Sequence, residues 1–110
     1  MLKIRSARMK IEDGEVEIRI TRGKENHVLS PSWMLLNRFK LQKKTMGLKT
    51  AWDNYIVDFV FEMDNDICIK EMEKIAEMAA TKNVVLTCYC SDEEHCHRSL
   101  IKRMIEKRFM

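Results

Sequence analysis

A chain of 110 residues, 45% apolar and 34% charged, has the composition of one soluble domain able to bury its own core. One proline and three glycines leave little room for linkers. The absence of repeats, low-complexity tracts and bilayer-length apolar runs argues against a solenoid or a helical membrane protein. The formal charge of +3 conceals an asymmetry, because residues 1–50 carry 12 Lys/Arg against 5 Asp/Glu while residues 51–110 carry 8 against 12.

Residues 1–110 are expected to form a single α/β domain. Met1–Arg5 lacks the apolar stretch of a signal peptide, so a cytoplasmic location with reduced thiols is expected. Residues 2–10 read as a weakly patterned first strand. Glu12-Asp13-Gly14 is a turn signal. Val16, Ile18 and Ile20 alternate with charged residues, the period of a half-buried strand. The two strands are expected to pair as a hairpin, with Thr21-Arg22-Gly23 ending the second. Ser30-Pro31 reads as a helix cap followed by a first-turn proline, and Leu35, Leu36 and Phe39 give that helix its stripe. Gly47 breaks it. A second helix covers roughly 49–63. Asn65-Asp66 caps a third, with Cys68, Met72, Ile75 and Ala79 inward. Val84 to Cys90 forms the last strand, and Leu100, Ile101, Met104, Ile105 and Phe109 line the final helix. Trp33, Trp52 and Tyr55 are expected in the core, with the nine methionines as filler.

The order β-β-α-α-α-β-α describes a small, three-layer-like α/β domain with strands two and three parallel. Ligand sites in such sheets lie beyond the carboxyl ends of the strands. Here those ends are Thr21-Arg22-Gly23 and the segment Cys88–Arg98, which topology should bring together.

That segment holds three of the four cysteines and two of the three histidines. Cys88 and Cys90 share a strand face; small apolar packing explains Cys90 as readily as chemistry does, and Cys88 less readily. Cys68 belongs to the core stripe of the third helix. Cys96, His97 and Arg98 stand at or near a helix start, where backbone N–H groups favour anions and thiolates. Cys96 is then the candidate nucleophile, His97 its base or acid and Arg98 an oxyanion holder. A capping box of Ser91 and Glu94 would start the helix at Asp92 and bury Cys96 deeper in it. A zinc site from Cys88, Cys90, Cys96 and His97 or His95 is a weaker alternative, since zinc ligands usually come as two separated pairs. The Cys-x5-Arg loop of phosphatases is absent: six positions after Cys88 stands Glu94, and six after Cys90 stands Cys96.

The strand Val84-Val85-Leu86-Thr87-Cys88 leading to Cys96-His97-Arg98-Ser99-Leu100-Ile101 resembles the domain of unknown function 488 family. Asp92-Glu93-Glu94-His95, Leu29-Ser30-Pro31-Ser32 and Thr21-Arg22-Gly23 resemble segments of its small-protein branch. Cys90 stands where the family often carries an acid, and the Asp-x-Arg of longer members is reduced to Arg22. The resemblance implies a small α/β domain with a polar site at these positions.

The expectation is an intracellular α/β protein with an anion-binding, thiol-dependent catalytic pocket. Cys88, Cys96, His97, Arg98 and Arg22 would line it. A small phosphate- or carboxylate-bearing molecule is the expected ligand, and neither a cofactor nor a membrane is called for. The alternative is an interaction module that binds nucleic acid through the basic first half and last helix.

Overall fold

The computed structural model describes residues 1–21, 27–90, 92 and 94–110. Its elements are β1 (Leu2–Ser6), β2 (Glu15–Arg19), α1 (Trp33–Met46), α2 (Leu48–Met63), α3 (Asp66–Thr81), β3 (Asn83–Cys88) and α4 (His97–Phe109). The sheet order is β1-β3-β2. Both outer strands run parallel to β3, with Ile4 and Ile18 flanking Leu86.

The parallel pairing of β2 with β3 follows the expectation; the hairpin does not. β1 and β2 lie on opposite sides of β3 and never touch edge to edge. Residues 7–14 instead carry the chain back across the sheet, because both strands start at the same end. Gly14, at φ 83°, takes the left-handed conformation open to glycine, and the turn it makes feeds β2 rather than joining two paired strands.

The two sheet faces differ sharply. Leu2, Val84 and Val16, then Ile4, Leu86 and Ile18, share one face, and all four helices contribute to the apolar core built on it. On the other face Arg5 crosses above Val85 to Glu15, with Nη1–Oε1 2.6 Å and Nη2–Oε2 2.9 Å. The Thr87 hydroxyl donates to Glu17 at 2.7 Å. Arg5 Nη1 also reaches the Lys10 carbonyl, so the return segment lies over this face. The layer opposite the helices is therefore this segment and a charged net, not a second set of helices. It leaves Val85 and Thr87 fully buried.

α1 and α2 are antiparallel, joined through Gly47 alone, at φ 88°. Cross-links run from Ser32–Glu62 through Arg38–Asp58 to Gln42–Asn54. Ser32, not Ser30, caps α1 by accepting from the Leu35 N–H. Glu62 grips that cap, taking the Ser32 N–H and hydroxyl, both at 2.6 Å. Ser30 instead donates to the His27 carbonyl, which keeps it out of the cap. Trp33, first in the helix, is 57% exposed, so the expected core role falls to Tyr55 and, in part, Trp52. Among the methionines Met63 and Met72 are core, while Met1, Met9, Met34, Met46 and Met110 are exposed. Asn65 caps α3 as expected, accepting from the Cys68 N–H. Cys68, Met72, Ile75 and Ala79 are buried.

Candidate functional site

β3 ends at Cys88, two residues short of the expected Cys90, and the chain turns back so that Cys96 caps α4. This reversal brings Cys88 Sγ and Cys96 Sγ to 3.0 Å. The next residue, His97, puts Nδ1 3.6 Å from Cys96 Sγ. Its other nitrogen, Nε2, bonds the Ile20 carbonyl just past β2. A carbonyl can only accept, so Nε2 carries the proton and the neutral ring turns a bare Nδ1 toward the thiols. Burial, with Arg98 adjacent, holds His97 below the ordinary histidine pKa despite the Ile20 bond.

Arg98 is 2% exposed. Its Nη1 donates to the carbonyls of Arg5 and Cys88 at 3.1 Å, and Nη2 donates to that of Cys90 at 3.2 Å. The guanidinium thus ties β1, the end of β3 and the loop to the first turn of α4. It is turned to the backbone rather than into the cavity beside it, so its positive charge acts on the thiols through space.

The thiols share protons unequally. Cys96 is pushed far above the usual thiol range, because its S–H is held by Cys88 and Cys90 and because it is buried. Cys88 is lowered by the Cys96 hydrogen bond and by Arg98. Cys90, half-buried, is lowered to about 6, first by Cys96 and then by the Asp92 backbone and Arg98. The three thiols titrate together, and within the set ionisation is disfavoured at Cys96, the residue the helix start favours from sequence. Neighbouring thiols override the helix dipole because they sit in contact.

These groups line a cavity of about 360 Å³ beyond the carboxyl ends of β2 and β3. Cys88, Cys90, Cys96 and His97 face Thr21 from the β2 side, Tyr55 from α2, and Lys40 and Lys43 from α1. Lys43 lies over the Phe39 ring, 5.1 Å from its centroid. Tyr55 stacks on Trp52 and Phe59, and burial raises its hydroxyl pKa, keeping it a neutral phenol. His95 also lines the cavity, held by Asp92 at 2.7 Å and edge-on to Trp52. The His95 bond lowers the Asp92 pKa. His27 sits elsewhere, against Glu71, with its pKa lowered by burial.

Of the residues singled out from sequence, Cys88, Cys96 and His97 come together in the cavity and Arg98 stands behind them. Arg22 lies outside the described residues, although Thr21 before it reaches the cavity wall. Tyr55 was expected only in the core, and Lys40 and Lys43 escaped the sequence reading. Their signal was faint: two lysines three apart, flanking the inward Phe39 on one helix face.

Fold and site define a small α/β protein with a thiol–imidazole cluster at the carboxyl ends of a parallel sheet. Residues 21–109 match the family model described as the active DUF488-N3 subclade, and the chain belongs to the DUF488 family. No curated protein and no solved structure matches it. No helix among the described residues is long and apolar enough to cross a membrane.

Proposed function

We propose that this protein is a thiol-dependent enzyme acting on a small anionic substrate, with Cys90 as nucleophile. The observation that carries the reading is that three thiols and two lysines line one cavity. Lys40 and Lys43 would hold a phosphate or carboxylate at the rim. The Cys90 sulfur would bond the electrophilic centre and expel the leaving group. Water would then release the acyl or phosphoryl group and free the thiol. Cys96 donates its S–H to the cluster, and Arg98 positions the loop by fixing the Cys88 and Cys90 carbonyls.

Competing alkylation tests this. Iodoacetate and iodoacetamide modify thiols by the same displacement but differ in charge. Cys90 should favour iodoacetate, relative to free cysteine, by at least about fivefold at low salt. The preference should vanish in Lys40→Gln/Lys43→Gln. A ratio equal to that of free cysteine would remove the anion-selective pocket.

A further inference from the structure

The same corner of the fold holds a second kind of chemistry, which stands independently of the Cys90 reading. Cys88 Sγ, Cys96 Sγ and a ring nitrogen of His97 all lie within 4.8 Å of one another, and all three residues are buried. Soft sulfur with imidazole nitrogen is the donor set of zinc and its neighbours in the transition series. We propose that Cys88, Cys96 and His97 bind a zinc-type divalent cation, with the fourth position open to the cavity.

Three features support a built site. The first is the orientation of His97. A metal-ligating histidine commonly donates its second ring N–H to a carbonyl, which fixes ring and tautomer. His97 does so through Nε2 to Ile20, leaving Nδ1 on the thiol side. The second is separation. On a tetrahedral zinc with ordinary bond lengths, sulfur and nitrogen stand about 3.6 Å apart and two sulfurs about 3.8 Å. Cys96 Sγ and His97 Nδ1 are already 3.6 Å apart. The sulfurs, at 3.0 Å, must part by under about 1 Å, a movement within the β3–α4 turn. The third is access: each of the three residues lines the cavity, so an ion has an entry path and a replaceable fourth ligand.

The objection that zinc ligands come as separated pairs loses force here. Cys88 and Cys96 are eight positions apart in sequence, and the chain reverses between them. Strand end and helix cap therefore act as two separate turns. Binding breaks two S–H bonds and forms two metal–sulfur bonds and one metal–nitrogen bond, with both protons passing to solvent. Arg98, bonded to the Cys88 carbonyl, stabilises the thiolates so formed.

The test is titration of the full chain with Co²⁺ under an inert atmosphere, its thiols kept reduced by a phosphine. The expected result is one Co²⁺ per chain, with thiolate-to-cobalt charge-transfer bands and the intense visible band of four-coordinate cobalt. One equivalent of Zn²⁺ should bleach both. Cys88→Ser, Cys96→Ser and His97→Gln should each weaken binding by about 100-fold or more. Cys90→Ser should leave stoichiometry and spectrum intact while abolishing anion-selective alkylation, which separates this site from the thiol enzyme reading. A weak six-coordinate spectrum in the folded parent, with all four thiols still titratable, overturns the proposal. So does loss of the site in Cys90→Ser. If a ligand variant fails to fold, the parent spectrum and the ligand variants that do fold decide.

Discussion

Replacing Arg98 with methionine keeps the length of the stem and removes the guanidinium. Three hydrogen bonds disappear, to the carbonyls of Arg5, Cys88 and Cys90. A bond from a charged donor contributes about 1.5–3 kcal/mol net. The Cys88 carbonyl keeps a second donor, the Ala7 N–H at 2.8 Å, and a shared guanidinium makes the three losses less than additive. The expected loss is therefore about 3–5 kcal/mol, against a typical total of about 5–15. At about 4 °C per kcal/mol for a chain of this size, the melting temperature should fall by roughly 12–20 °C. Arg98→Lys should recover little, since one ammonium cannot span three carbonyls on different segments. Urea unfolding followed by circular dichroism gives the free energy. Alkylation of Cys90 under native conditions reports the loop separately and should lose its selectivity. A melting point within about 3 °C of the parent, with selectivity unchanged, would refute the assignment of Arg98 as the residue that fixes the loop.

Phe59 is fully buried between Tyr55 and His97, so Phe59→Ala should destabilise the protein by about 3–5 kcal/mol in urea titration, and Phe59→Leu by much less. Glu62→Gln removes the charge from both bonds to the Ser32 cap; a loss of about 1–2 kcal/mol is expected by the same assay. Glu15 is held by Arg5 at about 2, below its ordinary 4.5. A depressed folded pKa means that its contribution is complete above pH 4.5 and fades as pH falls toward 2. Glu15→Gln should therefore show a flatter loss of stability over that window than the parent, by thermal melts at a series of pH values.

Much of the helical part of the fold was legible because its signals are local. Gly47 breaks the α1–α2 pair where the sequence says it must, and Asn65 caps α3. The stripe from Cys68 to Ala79 faces inward because burial follows the helical period. The sheet was less legible. A turn signal at Glu12–Gly14 announces a reversal but not which edge the next strand will join. Nothing local tells β1 that β3, some eighty residues later, will pair with it. The helix cap moved from Ser30 to Ser32 because Glu62, thirty residues away, grips Ser32. The site shows the same division. Cys88 and Cys96–Arg98 were visible as residue types, and the approach of Thr21, at the end of the second strand, to them followed from topology. The raised pKa of Cys96 and the lowered pKa of Cys90 come from contacts between sulfurs, which no local pattern encodes. Arg98 bonds three carbonyls, and no pattern of side chains encodes where a carbonyl will point.

Where the positive charge resides bears on the choice between a small anion and a polyanion. The first fifty residues hold most of the basic excess, yet several of its members are matched at home. Arg5 and Lys3 meet Glu15, Arg19 meets Glu17, and Arg38 meets Asp58. Lys40 and Lys43 have no carboxylate partner among the described residues, and both stand at the cavity. Arg103, Lys107 and Arg108 are exposed on α4. A duplex would engage many such charges and lose affinity steeply with salt. A small anion needs only the two at the rim. Lys40→Glu/Lys43→Glu should therefore lower the rate of iodoacetate alkylation at Cys90 about 5- to 30-fold, or 1–2 kcal/mol, while sparing iodoacetamide. Arg103→Glu/Lys107→Glu should change neither rate by more than about twofold, since screening over a Debye length of about 10 Å isolates surface charges at 0.1 M salt. The reverse pattern, with α4 controlling the response and Lys40 and Lys43 silent, would displace the small anion from the cavity and favour an extended basic surface.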